Sequence, residues 1–189
     1  MAKITSIKGR LIYNSRGNKT VEVDVISDNQ YLGRTCAPSG ASVGKYEAVG
    51  FPNDNPEESL RILTENSKKF LGLEPNDLKV IHETIKSIDK TPNYSEVGGA
   101  IAYAVSIASM ESASKAIGKP LFRLISEQSE YRFPIPLGNI LGGGAHAGPG
   151  TPDIQEILIS ATNAKTVREA IQTNLAVHKE LRKVIEKTD

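Results

Sequence analysis

The chain has no tryptophan, two methionines and a single cysteine, Cys36, among 189 residues, and aromatic residues make up 5% of it. One cysteine excludes an internal disulfide framework and fits a reducing compartment. Cys36 itself is expected to be a small packed residue. Neither charge dominates: 23 basic and 22 acidic side chains leave a formal net charge of +1. That balance gives no electrostatic case for nucleic acid or an anionic membrane as partner. No run approaches the ~20 apolar residues of a membrane span. The first residues, Met1-Ala2-Lys3-Ile4-Thr5-Ser6, lack the apolar core of a signal peptide. The cytoplasm is therefore the expected location. The length predicts one domain, or one and part of another.

The first third reads as strands. Ile4, Ile7, Leu11 and Tyr13 mark one, and Asn14-Ser15-Arg16-Gly17-Asn18 a turn. Val21, Val23 and Val25 alternate with Glu22 and Asp24, the period of a half-buried strand. Asp28-Asn29-Gln30 turns into a third strand, Tyr31 to Cys36. Turns this short predict an antiparallel meander. Helical spacing follows. Pro56-Glu57-Glu58 opens one helix, with Leu60, Leu63 and Phe70 on its buried face. Leu78, Ile81, Ile85 and Ile88 mark a second. Gly98 to Ile117 forms a third, rich in Ala and Ser, and Gly118-Lys119-Pro120 stops it. A short helix is expected over Leu121–Ser126.

Pro134 and Pro136 mark a boundary. Beyond it the pattern predicts a strand from Ile135 to Leu141, a glycine loop, a strand from Ile154 to Ser160, and a long helix. On that helix Val167, Ile171, Leu175, His178, Leu181 and Ile185 share one face, so His178 is expected to pack. His82 is expected at the surface. The strand Ile154–Ser160 is apolar on both sides, as in the interior of a larger sheet or barrel. The expected class is α+β: a three-stranded meander with helices over 1–133, then the first ββα of an incomplete (β/α) barrel over 134–189.

Two glycine-rich loops carry the chemistry. The first is Pro38-Ser39-Gly40-Ala41-Ser42-Val43-Gly44-Lys45-Tyr46-Glu47. It is one residue short of a P-loop, and Tyr46 stands where Ser or Thr should hold Mg²⁺. The second is Gly142-Gly143-Gly144-Ala145-His146-Ala147-Gly148. It fits G-x-G-x-x-A formally, but Pro149 and Pro152 leave no helix start to receive a pyrophosphate. Both nucleotide readings are rejected. His146 lies in this loop, opposite a strand that bears a carboxylate, Glu156. A charge within a run of Ile and Leu must be paired, metal-bound or neutralised. Glu156 is therefore either a structural ion-pair partner or an acid or base.

In this order the motifs resemble the enolase (phosphopyruvate hydratase) family, and they match its N-terminal portion. Asn14-Ser15-Arg16-Gly17-Asn18-Lys19-Thr20-Val21-Glu22-Val23 is similar to D-S-R-G-N-P-T-V-E-V. Pro38 to Gly44 is similar to P-S-G-A-S-T-G. Pro134-Ile135-Pro136 with Gly143 to Gly148 resembles P-V-P followed by G-G-S-H-A-G, and Gln155-Glu156 stands on the family's Q-E. The resemblance implies a capping domain, a barrel, and Mg²⁺-dependent dehydration of 2-phosphoglycerate to phosphoenolpyruvate in glycolysis. It makes Gly40, Ala41, Ser42 and Gly44 part of a lid loop, with Ser42 as a ligand of the second Mg²⁺. It puts His146 and Gln155 at the substrate and makes Glu156 a catalytic and substrate-binding carboxylate. Arg10 and Arg16 lie where the family forms its dimer contact, so a homo-oligomer, dimer or higher, is implied. The family's principal acid, first-metal carboxylates and base lysine match no segment here. The chain is thus expected to be inactive alone, and to need the rest of the barrel or a partner chain. The alternative is a non-catalytic binding or assembly module, or one half of a split enzyme. The chain diverges from the family at Asn14 for Asp, Lys19 for Pro, Val43 for Thr, and in Val97-Gly98-Gly99-Ala100, which lacks the Asn of L-G-A-N-A.

Overall fold

Alternating valines and two tight turns build the sheet at the start of the molecule. In the computed structural model, residues 2–40, 43–126, 128–144 and 147–187 are described. β1 (Ile4–Tyr13), β2 (Lys19–Ser27) and β3 (Tyr31–Cys36) form an antiparallel sheet in the order β1-β2-β3. Asp28 and Asn29 both adopt positive φ, 49° and 57°, and the Gln30 amide donates to the Ser27 carbonyl. Such a turn matches the right-handed twist of the strands. A register shift between Ile4 and Ser6 explains how Ile4 and Ile7, three residues apart, both reach the core.

Helices follow, and the first and third of them pack on one face of the sheet. The helices are α1 (Pro56–Asn66), α2 (Leu78–Ile88), α3 (Gly99–Ile117) and α4 (Leu121–Ile125), with short 3-10 turns at Pro52–Asp54 and Ser67–Phe70. Asn55 caps α1, accepting from the Glu57 and Glu58 amides, and Asp77 caps α2 through the Val80 amide. α3 ends at Gly118 in the left-handed conformation, φ 69°. Val21, Val23, Val25, Ile81, Ile101, Val105 and Ala108 meet in the core. The Ala and Ser content of α3 lets the helix come very close: a Cβ on Gly33 would lie 1.8 Å from the Ala108 carbonyl oxygen. Ser112 Oγ lies 2.6 Å from Ser27 Oγ and donates to the Tyr31 carbonyl, sealing the same contact.

Gly33 pressed on α3 also decides where Cys36 goes. Strand alternation puts Arg34 and Cys36 on the opposite face. Cys36 is exposed, not packed as its residue type suggested.

The chain divides into two units, Met1–Gln128 and Ser129–Asp189. The second contains β4 (Leu137–Gly142), β5 (Glu156–Ser160) and α5 (Val167–Ile185), with β4 and β5 paired antiparallel. β4 begins later than the sequence suggested because Pro134 and Pro136 carry no amide to donate. Among the described residues no closed barrel forms; a partial one of two strands and a helix is present. On α5 only Ala170 is buried, so His178 is exposed, a correction to the packing expected from its apolar stripe. The stripe is there, but no layer covers it among the described residues. His82 is exposed as expected, with its Nδ1 3.3 Å from the Tyr94 hydroxyl.

Candidate functional site

The first glycine loop is held at both ends. At its start the β1–β2 turn is the anchor. Asn14 Oδ1 accepts from the amides of Arg16, at 2.9 Å, and Asn18, at 3.0 Å. Gly17, with φ 76°, closes the turn. Asn14 therefore keeps the turn-forming role of a carboxylate at this position. The same side chains reach the loop: Asn14 Nδ2 lies 3.4 Å from Ser39 Oγ, and Arg16 Nη1 lies 3.2 Å from the Gly40 carbonyl. At the other end, the Val49 amide donates to the Asn93 carbonyl, and the Gly99 and Ala100 amides donate to Val49 and Gly50. A Cβ at Gly98 would sit 2.7 Å from the Gly50 oxygen, and one at Gly99 2.8 Å from the Ala48 Cβ. Gly98 and Gly99 thus let the loop lie against the start of α3. A cleft of about 420 Å³ opens beside the loop, lined by Thr20, Pro38, Val43, Phe51, Asp54 and Tyr103 among others. Gly40, Val43 and Gly44 are exposed; Ala41 and Ser42 lie outside the described residues.

The segment that supports the loop has a buried carboxylate at its centre. Asp89 is fully buried at the end of α2. Its carboxylate accepts the Thr91 hydroxyl and the amides of Thr91, Glu96 and Val97, at 2.5 to 2.9 Å. Burial works against its charge, but these four donors outweigh it and hold its pKa below the ordinary value. Asp89 fastens the segment that carries Asn93 and Gly98. Sequence reading missed it, because an Asp before Lys-Thr-Pro reads only as the end of a helix.

The outer face of the sheet carries a charge cluster. Arg34 grips Asp24 with two bonds, Nε at 2.7 Å and Nη2 at 3.0 Å, and Arg10 bonds both Glu22 and Asp24. The bond from Arg34, then that from Arg10, lowers the Asp24 pKa against desolvation. Arg10 is thereby engaged within the chain.

In the second unit the glycine loop is shaped by steric need. The Gly143 amide donates to the Gln155 carbonyl and the Gly144 amide to Pro152. A Cβ on Gly143 would meet the Ile154 and Pro152 oxygens at 2.4 and 2.5 Å. Glu156 opens β5 opposite Gly142. Its Oε1 accepts from Asn139 Nδ2 at 3.3 Å. The Asn139 Oδ1 also accepts from the Leu141 amide, bracing the register shift between Asn139 and Leu141. Asn139 is a partner that the sequence did not reveal, since a bulge is invisible in an apolar run. Glu156 is exposed in this unit, so the burial expected from its Ile and Leu neighbours is not present here. Gln155 precedes it in the chain; Ala145 and His146 lie outside the described residues.

The family profile described as "Enolase, N-terminal domain" matches residues 4–125, and "Enolase, C-terminal TIM barrel domain" matches residues 130–189. The chain belongs to the enolase family. It is 43% identical over 187 residues to the enolase of Methanothermobacter thermautotrophicus, covering 98% of this chain and 45% of that protein. It is 39% identical over 187 residues to the Methanosphaera stadtmanae enolase, again 98% and 45%. The Archaeoglobus fulgidus enolase is 38% identical over 181 residues, 96% of this chain and 44% of that one. The chain thus spans a little under half the length of these curated relatives. Among the described residues, no group of three or more His, Cys, Asp or Glu side chains is placed to hold a metal ion. Mg²⁺ asks for near-octahedral oxygen ligands, carboxylates among them. The described residues therefore do not by themselves fit the ion associated with enolases. No described helix is long and apolar enough to cross a membrane.

Proposed function

We propose that this chain is the N-terminal part of a lyase that converts 2-phosphoglycerate to phosphoenolpyruvate and water. The observation that carries the reading is the run of both enolase profiles along nearly the whole chain, with each glycine loop anchored by residues of the matched motifs. In the reaction the proton alpha to the carboxylate leaves, the hydroxyl departs as water, and a double bond forms between the two carbons. In this reading Gln155 contacts substrate, and Glu156 helps position the water or the acid that protonates the leaving hydroxyl. Asn139 holds Glu156 in place. His146 approaches the phosphate. The loop containing Gly40, Ala41, Ser42 and Gly44 closes over the substrate, which would exclude water. Ser42 is proposed as a metal ligand. The other magnesium ligands and the base are proposed to come from outside the described residues, so the 189-residue chain alone is expected to be inactive.

The exposed apolar residues of the second unit, among them Ile154, Leu158, Leu175 and Val184, favour completion by further barrel structure, in the same protein or a partner chain. A homo-oligomer in the cytoplasm completes the proposal.

The test is complementation. The chain is co-expressed with a segment covering the remainder of the M. thermautotrophicus enolase. The expected result is phosphoenolpyruvate formation that requires Mg²⁺ and both chains. A soluble, well-assembled pair that leaves 2-phosphoglycerate unchanged sinks the lyase reading.

A further inference from the structure

Arg16 is an exposed side chain with an unusual use. Among the described residues it pairs with no carboxylate; its guanidinium donates to the neutral carbonyl of Gly40. An exposed arginine held in one direction loses rotamer freedom, and a carbonyl returns less than a carboxylate would. Its backbone is set for that reach. The Arg16 amide is held by Asn14 Oδ1, and Gly17 closes the turn behind it. Asn14 turns its second polar atom the same way, toward Ser39 Oγ. Two side chains of one turn thus hold two consecutive residues of the first glycine loop, 24 and 25 positions away.

The identities fit this use. Asn14 accepts both turn amides and donates to Ser39 at once, whereas an aspartate could only accept from the Ser39 hydroxyl. Val43, on the far side of the loop, carries no side-chain hydrogen-bond donor.

We propose that Asn14 and Arg16 are positioning residues for the first glycine loop: the β1–β2 turn fixes the loop's entry at Ser39–Gly40. Its meaning for catalysis rests on the lid reading above. The fastening itself can be measured without substrate.

Two readouts on the full 189-residue chain serve. One is the rate of tryptic cleavage at Lys45–Tyr46, followed by mass. The other is the mobility of a nitroxide at Val43→Cys in a Cys36→Ser background. Arg16→Gln removes the reach to Gly40, and loss of one such bond predicts cleavage faster by about three- to tenfold, with a more mobile label. Arg16→Lys keeps a cationic donor and restores at least half of the difference. Ser39→Ala keeps the turn, removes the contact with Asn14 Nδ2, and falls between. All three unfold at the parent temperature, because the turn stays closed. The proposal is overturned if Arg16→Gln matches the parent, if Arg16→Lys is as fast as Arg16→Gln, or if the melting temperature falls with the cleavage effect. Neither readout depends on lyase activity, so its failure is separate from failure of the complementation assay.

Discussion

The two units use the same devices to different ends. Each has an antiparallel pairing, a glycine where backbone meets backbone, and an amphipathic helix with a capped start. In the first unit the sheet and α3 face one another, and among the described residues all the buried apolar side chains but one lie there. In the second, Ala170 is the single buried apolar residue among those described, while Leu137, Ile154, Leu158, Ile171 and Leu175 are exposed. The lesson is that an apolar stripe specifies a face and not its burial. Burial needs an opposing layer at the right distance, and only the first unit supplies one among the described residues.

Glycine substitution separates the units most sharply. Gly33→Ala drives a Cβ into the α3 backbone, which cannot rotate away, and is expected to cost roughly 3 kcal/mol or more of stability. Gly143→Ala makes a similar clash with two carbonyls. It is expected to distort its hairpin and leave the main unfolding transition in place. Urea unfolding followed by circular dichroism compares them; equal shifts of the midpoint would break the contrast between the units.

Acid should act through the first unit. The folded pKa values of Asp24 and Asp89 are both lowered. Each carboxylate therefore contributes stability that is present above its unfolded pKa, near 4, and lost as pH falls through the folded value. Melting temperature should hold from neutral pH to about pH 5 and then drop. Asp89→Asn leaves at least one buried donor without its acceptor, costs about 2 kcal/mol at neutral pH, and flattens the acid limb. An acid limb identical to the parent's would remove Asp89 from the account.

Helix caps give the smallest and finest comparison. Asn55→Ala and Thr166→Ala each remove a side-chain acceptor at a helix start. Each is worth about 1 kcal/mol locally. In α1 that loss should reach the global midpoint, because α1 packs on the core through Ser59 and Leu63. In α5 it should appear as faster amide exchange in the first turn with little change in midpoint. A full midpoint shift from Thr166→Ala would mean that α5 belongs to the cooperative core.

These contrasts also explain what the sequence could convey. The meander was legible because period-two valines and turn residues are local signals, and the helices because their spacing and stop signals are local too. The glycine loops were legible by their order. Asp89, Asn139 and the double reach of the β1–β2 turn were not, since each depends on atoms brought together across a fold. Cys36 and His178 were misplaced for a related reason. Residue type suggested burial, while the face that each occupies is set by Gly33 on one side and by an uncovered helix on the other.

The close seat of α3 on the sheet has a consequence in time. Ser27 and Ser112 are separated by 85 residues, and the Arg34 amide donates to the Glu111 carboxylate across 77. On the ribosome the three strands emerge long before the helix that covers them. At ordinary synthesis rates of roughly 5–20 residues per second, that interval lasts several seconds. Through it the valine face of β2 lacks α3, the helix that lies closest against it. A nascent chain halted before Gly99 should therefore draw chaperones, and one released after Gly118 should not.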